Sequence, residues 1–272
     1  MNPNPSLSRP DKSRVARSFG AAAASYDGVA GLQREVAGRL LEFGGLPCAG
    51  VRRILDVGAG TGYPAFLMRQ CHPEAELLLL DLAEGMLYQA RRRFSGDSNC
   101  RFLRADAEAL PLAGGSVDLV FSNLALQWCV DLDGTFAGFR QASRPGGFLL
   151  FATFGPTTLA ELRAAWEAVD EDTHVNEFSG PAEICARLQQ AGYIEISVQT
   201  ETRRIAYPTV LDLMRELKGL GAHNATVGRP RHLTGKEKWR RMIAAYEARM
   251  EGEGIRAGFE VVYGRAVCGP SG

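Results

Sequence analysis

Short apolar runs alternate with longer stretches of helical periodicity from about residue 52 to residue 154. The runs are mostly hydrophobic at successive positions, which is typical of strands that are buried on both faces of a sheet. They predict strands at residues 54–57, 77–80, 102–106, 117–123 and 148–154. Helical patterns lie between them at residues 63–71, 83–94 and 132–142, and two more follow at 158–169 and 181–190. The sequence Arg-Pro-Gly-Gly at residues 144–147 predicts the end of a helix and a turn. This alternation predicts an α/β fold with a mostly parallel sheet and right-handed crossovers.

The patterns on either side of this core predict further elements. Residues 1–10 are polar and rich in proline, so we expect disorder there. Residues 11–45 contain two helical patterns that either cap a ligand-binding edge or simply pack on the sheet. Two long strands are predicted at 193–206 and 255–267, with helical stretches at 210–220 and 234–250 between them. The expected organisation is a disordered terminus (1–10), a helical cap (11–45), an α/β core (46–207), a helical insert (208–252) and a last strand (253–268).

Three glycines, Gly58, Gly60 and Gly62, follow the first predicted strand, and Asp56 lies two residues before them. Glycine has no Cβ, so this loop can turn sharply and a ligand can lie against its backbone. The helix behind the loop begins with unpaired N–H groups at the positive end of its dipole. Together these features predict a pocket for a nucleotide-like ligand. The spacing differs from the Gly-x-Gly-x-x-Gly dinucleotide fingerprint and resembles motif I of class I S-adenosylmethionine (SAM) methyltransferases.

Acidic or amide side chains also stand at the ends of the next three predicted strands. Asp81 follows the second strand about 20 residues after the glycines, where a carboxylate can accept hydrogen bonds from ribose hydroxyls. It could also cap the helix that follows. Asp106 ends the third strand and Asn123 ends the fourth. Because the carboxyl ends of parallel strands meet at one edge of the sheet, these residues predict a ligand site along that edge.

The composition narrows the possible classes of protein. The chain has 272 residues, of which 46% are hydrophobic, so it can bury a large core in one elaborated domain or at most two. Its 31 Lys and Arg residues balance 31 Asp and Glu residues, which gives no indication of nucleic-acid binding. The six cysteines are scattered without metal-ligand spacing, and no signal peptide or membrane-spanning run is evident. We expect a cytoplasmic protein with reduced cysteines, no metal and no membrane partner.

Positive charge is concentrated in the predicted insert. Residues 200–250 contain eleven Lys or Arg and five Asp or Glu, a net charge of +6, so the rest of the chain carries −6. A basic segment beside a ligand-binding edge favours an acidic partner, although a solvated helix surface would explain the same charges. The candidate docking residues are Arg203, Arg215, Lys236, Lys238, Arg240 and Arg241.

Several segments resemble the malonyl-[acyl-carrier protein] O-methyltransferase family of class I SAM methyltransferases. The most specific are SNLALQWC at residues 122–129 and LKGLGAHN at 217–224, and FGAAAASY at 19–26 also fits. The similarity runs in order from about residue 12 to residue 267 and includes the insert. The NLALQW segment is also similar to trans-aconitate methyltransferase, whereas the KGLGA segment favours the malonyl-carrier family.

The resemblance implies a fold, a cofactor, a reaction and a partner. The fold is Rossmann-like, with a mostly parallel seven-stranded sheet, an antiparallel last strand, N-terminal helices and a helical insert before the last strand. The reaction is methyl transfer from SAM, leaving S-adenosylhomocysteine (SAH), to the free carboxylate of malonyl-acyl-carrier protein. Its product is the methyl ester that starts pimeloyl synthesis for biotin. The acidic carrier protein is expected to dock on the basic insert.

No general base is expected, because a carboxylate is already ionised near pH 7. The four histidines form no evident catalytic pair in the sequence, which suits a reaction that depends on proximity and alignment. We expect Tyr26, Gln127 and Trp128 to position the substrate. Lys218, His223 and Arg229 are expected to bind it.

The expected cofactor site combines the glycine loop with the strand ends. The glycines admit the methionine part of SAM, Asp56 orders the loop or takes the ammonium group, and Asp81 binds the ribose. The remaining members pack on the adenine, contact its edge or lie beneath the methyl group. The complete set is Asp56, Gly58, Gly60, Gly62, Asp81, Leu82, Met86, Asp106, Ala107, Asn123 and Leu124.

Two other functions fit parts of the sequence. A methyltransferase for small carboxylates or quinone-type molecules would need neither the carrier protein nor the basic insert. A SAM-binding regulator without catalysis would not need the complete set of strand-end acids. A NAD-dependent enzyme is disfavoured by the glycine spacing and by the lack of an acid or base for hydride transfer.

Overall fold

A computed structural model describes residues 10–45, 50–221, 235–250 and 252–270. Its seven strands form one sheet in the order β3-β2-β1-β4-β5-β7-β6. Strands β1 to β5 are parallel, whereas β7 runs antiparallel to both of its neighbours, β5 and β6. The strands are β1 Arg53–Val57, β2 Glu76–Asp81, β3 Cys100–Arg104, β4 Val117–Asn123, β5 Ser143–Phe154, β6 Tyr193–Tyr207 and β7 Ile255–Cys268. The predicted sheet is therefore confirmed.

Ten α-helices occur in the described part of the chain, and three of them precede the sheet. They are α1 Lys12–Ala22, α2 Tyr26–Val29, α3 Gly31–Gly44, α4 Tyr63–Cys71, α5 Glu84–Arg93, α6 Leu132–Ala142, α7 Ala160–Glu167, α8 Pro181–Gln190, α9 Val210–Gly219 and α10 Lys236–Glu247. Helix α2 was not predicted, because four residues are too short to show an amphipathic period. Of the stretch 1–10 that was expected to be disordered, residues 1–9 lie outside the described residues.

Apolar side chains cover both faces of the sheet. Ile54, Leu77 and Leu119 belong to one cluster with residues of α3 and α4, and Leu55 belongs to the opposite cluster with residues of α6 and α8. Successive residues of a strand point to opposite faces, so the uninterrupted hydrophobic strands supply both layers. The sheet is thus the central layer, and its carboxyl-end edge remains open to the cap.

The turn predicted at residues 144–147 is the clearest correction to the expected elements. Helix α6 does end at Ala142, but β5 begins at once, because Ser143 pairs with Val117. The pairing then shifts, so that Leu119 lies opposite Phe148, and Gly146 has a φ of 73°. The Pro-Gly-Gly sequence therefore forms a bulge within a strand, a position where an extra residue can be accommodated without ending the strand.

Helices α9 and α10 of the insert pack on the main body. Met242 and Tyr246 are fully buried and join the apolar cluster that contains Ile54. The Tyr246 hydroxyl donates to the carbonyl of Arg256 in β7 at 2.9 Å, and the Tyr207 hydroxyl donates to Glu216 at 2.9 Å. These contacts fix both helices beside the carboxyl-end edge. Among the described residues, no helix is both long enough and apolar enough to cross a membrane.

Candidate active site

The glycine loop leaves β1 and reaches α4 through three positive φ angles. A Cβ on Gly58 would lie 2.3 Å from the Cβ of Ala125, whereas a Cβ on Gly60 would meet nothing within 4 Å. Both glycines line a cavity of about 110 Å³, which we call the cofactor cavity. Gly62, which precedes α4, does not line it, and a Cβ there would lie 3.1 Å from the Phe94 ring. Gly62 is therefore needed for packing of the helix rather than for room in the cavity.

Asp81 joins the loop to the beginning of α5. Its Oδ2 accepts the Gly60 N–H at 2.9 Å, and its Oδ1 accepts the Ala83 N–H at 2.7 Å. Burial raises the pKa of Asp81 to about 6, although these hydrogen bonds oppose the shift. The N-cap of α5 is Ala83 rather than Asp81. Asp81 therefore does not cap the helix itself, but it accepts the N–H of the residue that does. The carboxylate also lines the cofactor cavity.

Asp56 lies under the loop and does not line the cofactor cavity. It is 1% exposed, and neither of its oxygens makes a well-formed hydrogen bond to any described residue, although the Ala65 N–H is near enough to favour the charged form. Burial, with the nearby charge of Asp81, raises its pKa to about 8. Asp56 therefore does not face the cofactor cavity directly in this conformation.

The other predicted cofactor residues come together around the same cavity. Asn123 donates from Nδ2 to the carbonyl of Gln33 at 2.9 Å, while its buried Oδ1 has no partner among the described residues. Leu124 has a φ of 51°, and its N–H donates to the Ala152 carbonyl at 2.8 Å. The predicted residues that line the cavity are Gly58, Gly60, Asp81, Leu82, Met86, Asp106, Ala107, Asn123 and Leu124.

A second cavity of about 840 Å³ adjoins the first, and we call it the acyl cavity. Phe19, Tyr26, Leu124 and Trp128 line both cavities, so the two meet at these side chains. Its walls include the aromatic side chains Phe154, Trp166, Phe178, Trp239 and Phe259, and polar side chains such as Asp170, His174 and Lys218 also line it. An apolar cavity with a few polar groups is typical of a small-molecule or acyl site.

Of the three residues expected to position the substrate, Tyr26 and Trp128 lie at this junction and Gln127 lines the acyl cavity. The Tyr26 side chain is partly buried. Burial of its hydroxyl raises the pKa of that group, as do the charges of Asp81 and Asp27. Gln127 donates to the Leu124 carbonyl at 2.7 Å and accepts from the Thr153 hydroxyl at 3.3 Å, so its amide is held in place. Trp128 packs edge-on against Phe19, with ring centroids 5.5 Å apart.

Only one of the three predicted substrate-binding residues lies in the described part of the chain. Lys218 lines the acyl cavity and has no acidic partner among the described residues. His223 and Arg229 lie outside the described residues.

The sequence did not reveal the far wall of the acyl cavity. His174 stacks on Trp166 at 3.7 Å and shares a 2.7 Å hydrogen bond with Asp170. Lys238 donates to the other oxygen of Asp170 at 2.8 Å. Asp170, Asp172 and His174 could in principle ligate a metal, but the Lys238 ammonium already neutralises Asp170. That no metal is needed stays a prediction.

The cap also supplies residues that were not predicted. Lys12, Val15 and Phe19 of α1 line the cofactor cavity. Gln33 of α3 lines the acyl cavity, and its buried Oε1 has no hydrogen-bond partner in the part of the chain that the structure describes. A spacing of four residues places Val15 and Phe19 on one face of α1, which is a signal that the sequence contained. Lys12 gives no such signal, because exposed lysines are common at helix ends.

Comparison with known proteins bears on this site. Residues 55–151 match the family described as "Methyltransferase domain". The chain is 47% identical over 267 residues to malonyl-[acyl-carrier protein] O-methyltransferase of Methylococcus capsulatus, covering 95% of this chain and 94% of that protein. The chain belongs to the malonyl-[acyl-carrier protein] O-methyltransferase family. The family recognised from the sequence is confirmed, and so is its enzyme class, a methyltransferase.

Solved structures resemble this malonyl-[acyl-carrier protein] O-methyltransferase family member in fold. The YcgJ protein from a Bacillus species superposes with a TM-score of 0.62 at 17% identity, covering 87% of this chain and 99% of that one. Phosphoethanolamine N-methyltransferase 2 from Haemonchus contortus, in complex with SAM, has a TM-score of 0.58 at 17% identity, covering 92% and 57%. These neighbours confirm the class I methyltransferase fold. The Haemonchus contortus structure is a complex with SAM.

Proposed function

We propose that this protein transfers the methyl group of SAM to the free carboxylate of a malonyl group carried by an acyl carrier protein. The observation that carries the proposal is the junction of the two cavities at Phe19, Tyr26, Leu124 and Trp128. A methyl donor in the first cavity and an acyl group in the second would meet there. The 47% identical relative from Methylococcus capsulatus bears the name of this activity.

Several groups around the cofactor cavity suit the binding of SAM. Gly58 and Gly60 allow a ligand to approach the loop backbone, and the Asp81 carboxylate can accept from ribose hydroxyls. The unpartnered Oδ1 of Asn123 can accept from an ammonium group, and the charge of buried Asp56 favours a cation nearby. A cavity of about 110 Å³ is narrow for a nucleoside, so part of its lining has to open on binding.

The other predicted residues keep their proposed roles at the cofactor. Leu82 and Met86 would pack on the adenine, while Asp106 and Ala107 would contact its edge. Gly62 and Asp56 do not line the cavity, so we propose that they act by holding the loop.

The chemistry needs alignment more than proton transfer. SAM supplies a methyl group on a sulfonium sulfur, and a carboxylate oxygen takes it while the sulfur keeps the electron pair. A carboxylate is ionised at neutral pH, so no side chain has to remove a proton. Tyr26, with its raised pKa, stays neutral and can donate one hydrogen bond to orient the carboxylate. Gln127 and Trp128 would fix the direction of approach and exclude water.

Cations must hold the acyl group without binding its carboxylate too strongly, because charge is lost in the transition state. Lys218 lines the acyl cavity and is proposed to contact the substrate. His223 and Arg229 remain proposed substrate-binding residues. The aromatic walls would contact the arm of the carrier protein, for which the cavity of about 840 Å³ leaves room.

The carrier protein is proposed to dock at the rim of the acyl cavity. Lys236 and Arg241 on α10 are exposed and have no acidic partner among the described residues. The other predicted docking residues are paired with carboxylates, namely Arg203 with Glu35 and Glu201, Arg215 with Asp212, Lys238 with Asp170 and Arg240 with Glu237. An acidic partner would therefore meet Lys236 and Arg241 most directly.

The deciding experiment offers the enzyme radiolabelled SAM with four acceptors in parallel. Malonyl-carrier protein should be labelled at the highest kcat/KM, malonyl-CoA more slowly, and free malonate and trans-aconitate hardly at all. Mild ester hydrolysis should release the label, as expected for a methyl ester. Preferential labelling of a free acid would instead favour a small-molecule carboxylate methyltransferase. SAM binding without transfer to any acceptor would favour a regulator.

A further inference from the structure

Lys12, the first residue of α1, reaches a part of the cofactor cavity that the strand-end motifs do not. Its ammonium donates to Oδ2 of Asp106 at 2.5 Å and lies 2.7 Å from Oε2 of Glu108. The side chain is 26% exposed and lines the cavity together with Asp106. A cation from the N-terminal cap therefore holds two carboxylates of the loop that follows β3.

This contact fixes the orientation of the Asp106 carboxylate. Lys12 holds Oδ2, and the backbone N–H of Glu108 donates to Oδ1 at 3.0 Å. Glu108 is itself anchored, because its Oε1 accepts the N–H groups of Val130 and Asp131. Each carboxylate oxygen can accept two hydrogen bonds. Asp106 thus retains acceptor capacity for a donor that enters the cavity.

Charge explains why a cation is needed at this position. Asp106 and Glu108 lie within contact of the same ammonium, so their carboxylates would repel each other without it. Burial lowers the pKa of Lys12, but its hydrogen bonds to Asp106 and Glu108 outweigh that effect and leave the pKa raised. Lys12 consequently stays charged at any pH at which the enzyme would work.

We propose that Lys12 is a positioning residue for nucleobase selectivity, because it aims Asp106 at the exocyclic amino group of adenine. The inference rests on the proposed use of SAM. Adenine presents an amino donor at its 6-position, whereas a 6-oxopurine presents an acceptor that would face the carboxylate oxygen. A site built around a fixed acceptor rejects a ligand that lacks the matching donor. Without Lys12 the carboxylate can rotate, and this discrimination should weaken.

The test measures binding rather than catalysis. Isothermal titration calorimetry compares SAH with S-inosylhomocysteine, its 6-oxopurine analogue, on wild type, Lys12→Met, Lys12→Arg and Arg14→Met. We expect Lys12→Met to bind SAH about tenfold more weakly, the size of one lost hydrogen bond, with little change for the analogue. Lys12→Arg should retain most of the selectivity. Arg14→Met is the matched control, since Arg14 is on the same helix and pairs with Asp11.

A coupled variant separates positioning from simple loss of stability. In an Asp106→Asn background, adding Lys12→Met should leave the ratio of the two dissociation constants unchanged. Unchanged or tighter binding of SAH by Lys12→Met would overturn the inference, as would an equal loss of selectivity in Arg14→Met. If wild type bound neither SAM nor SAH, the proposed function would fail and the inference with it.

Discussion

The two cavities that meet at Tyr26 and Trp128 are built in different ways. The cofactor cavity, of about 110 Å³, is formed mainly by residues that follow parallel strands, and hydrogen bonds such as that from the Gly60 N–H to the Asp81 carboxylate hold it. The acyl cavity, of about 840 Å³, is enclosed by side chains from helices that are far apart in the sequence. Changes in the first should therefore act on SAM affinity, and changes in the second on KM for the acyl substrate.

Gly58→Ala should give the largest effect and act on the cofactor cavity alone. The new Cβ would lie 2.3 Å from the Cβ of Ala125, and the φ of 70° disfavours any L side chain. Strain of about 1–2 kcal/mol and overpacking of about 1–3 kcal/mol predict a loss of SAM affinity on the order of 100-fold. Calorimetry with SAM would measure it.

Gly45→Ala is the matched control for Gly58→Ala. Gly45 has a φ of 50° after α3, but a Cβ there would meet nothing within 4 Å. It should lower the thermal midpoint slightly and leave SAM affinity unchanged. If the two variants weakened SAM binding equally, backbone strain rather than close approach would explain the glycine loop.

Tyr26→Phe probes the junction, where the distinction between the cavities should break down. Removal of the hydroxyl leaves the ring packing but takes away a donor for the substrate carboxylate, so we expect kcat to fall about tenfold. SAM affinity should change little. Steady-state kinetics with malonyl-carrier protein would show the loss, and Tyr88→Phe on the exposed face of α5 should behave as wild type. Full activity of Tyr26→Phe would remove the hydroxyl from the mechanism.

The sequence predicted the cofactor side of the molecule better than the acyl side. Helix 63–71 and strand 117–123 have the predicted bounds. The spacing of hydrophobic residues and the positions of glycines, on which these bounds were predicted, are local features of the sequence. Trp166 and Trp239 pack edge to face at 5.5 Å across 73 residues of chain, a contact that no local pattern contains. Lys12 was missed for the same reason, since its partner Asp106 lies 94 residues away.

The Pro-Gly-Gly sequence led to a wrong prediction, because a turn and a β-bulge can both contain it. Pro-Gly-Gly at 145–147 marks a turn in most contexts, yet here Gly146 lies in a bulge of β5. The role of Gly62 in ligand binding stays a prediction, since Gly62 does not line the cofactor cavity and a Cβ there would meet Phe94, Ala90 and Leu79. Only the packed structure distinguishes these alternatives.

A pH titration would sharpen the comparison, because the two carboxyl groups with raised pKa values belong to the cofactor side. Asp56 and Asp81 have pKa values of about 8 and about 6, so part of this pair is protonated at neutral pH without ligand. A cationic ligand favours the charged forms. SAM affinity should therefore rise severalfold from pH 6 to pH 8, with release of protons in calorimetry. Asp56→Asn should flatten this dependence, and a flat profile in wild type would contradict it.

The same groups set the pH dependence of stability in the ligand-free enzyme. Their pKa values are raised above the unfolded value of about 3.9, so the folded state binds more protons than the unfolded state. The stability of the fold should fall as pH rises from about 4 towards 8, and level off above the pKa of Asp56. Thermal melts at several pH values would show this decline, which saturating SAM should reduce.

The smallest expected effect lies outside both cavities, at the rim where the carrier protein is proposed to dock. Lys236→Glu with Arg241→Glu should raise KM for malonyl-carrier protein about threefold, because exposed charges contribute modestly to affinity. KM for malonyl-CoA and the SAM affinity should stay unchanged. Added salt should reproduce the rise in wild type and have less effect in the double variant.

Arg91→Glu with Arg92→Glu is the matched charge reversal, on exposed residues of α5 away from the acyl cavity. It should leave KM for the carrier substrate as in wild type. If both double variants raised this KM equally, the carrier protein would respond to overall charge, and the basic insert would be a solvated surface. If neither did, docking would depend on apolar contacts, and the large effects would all remain inside the two cavities.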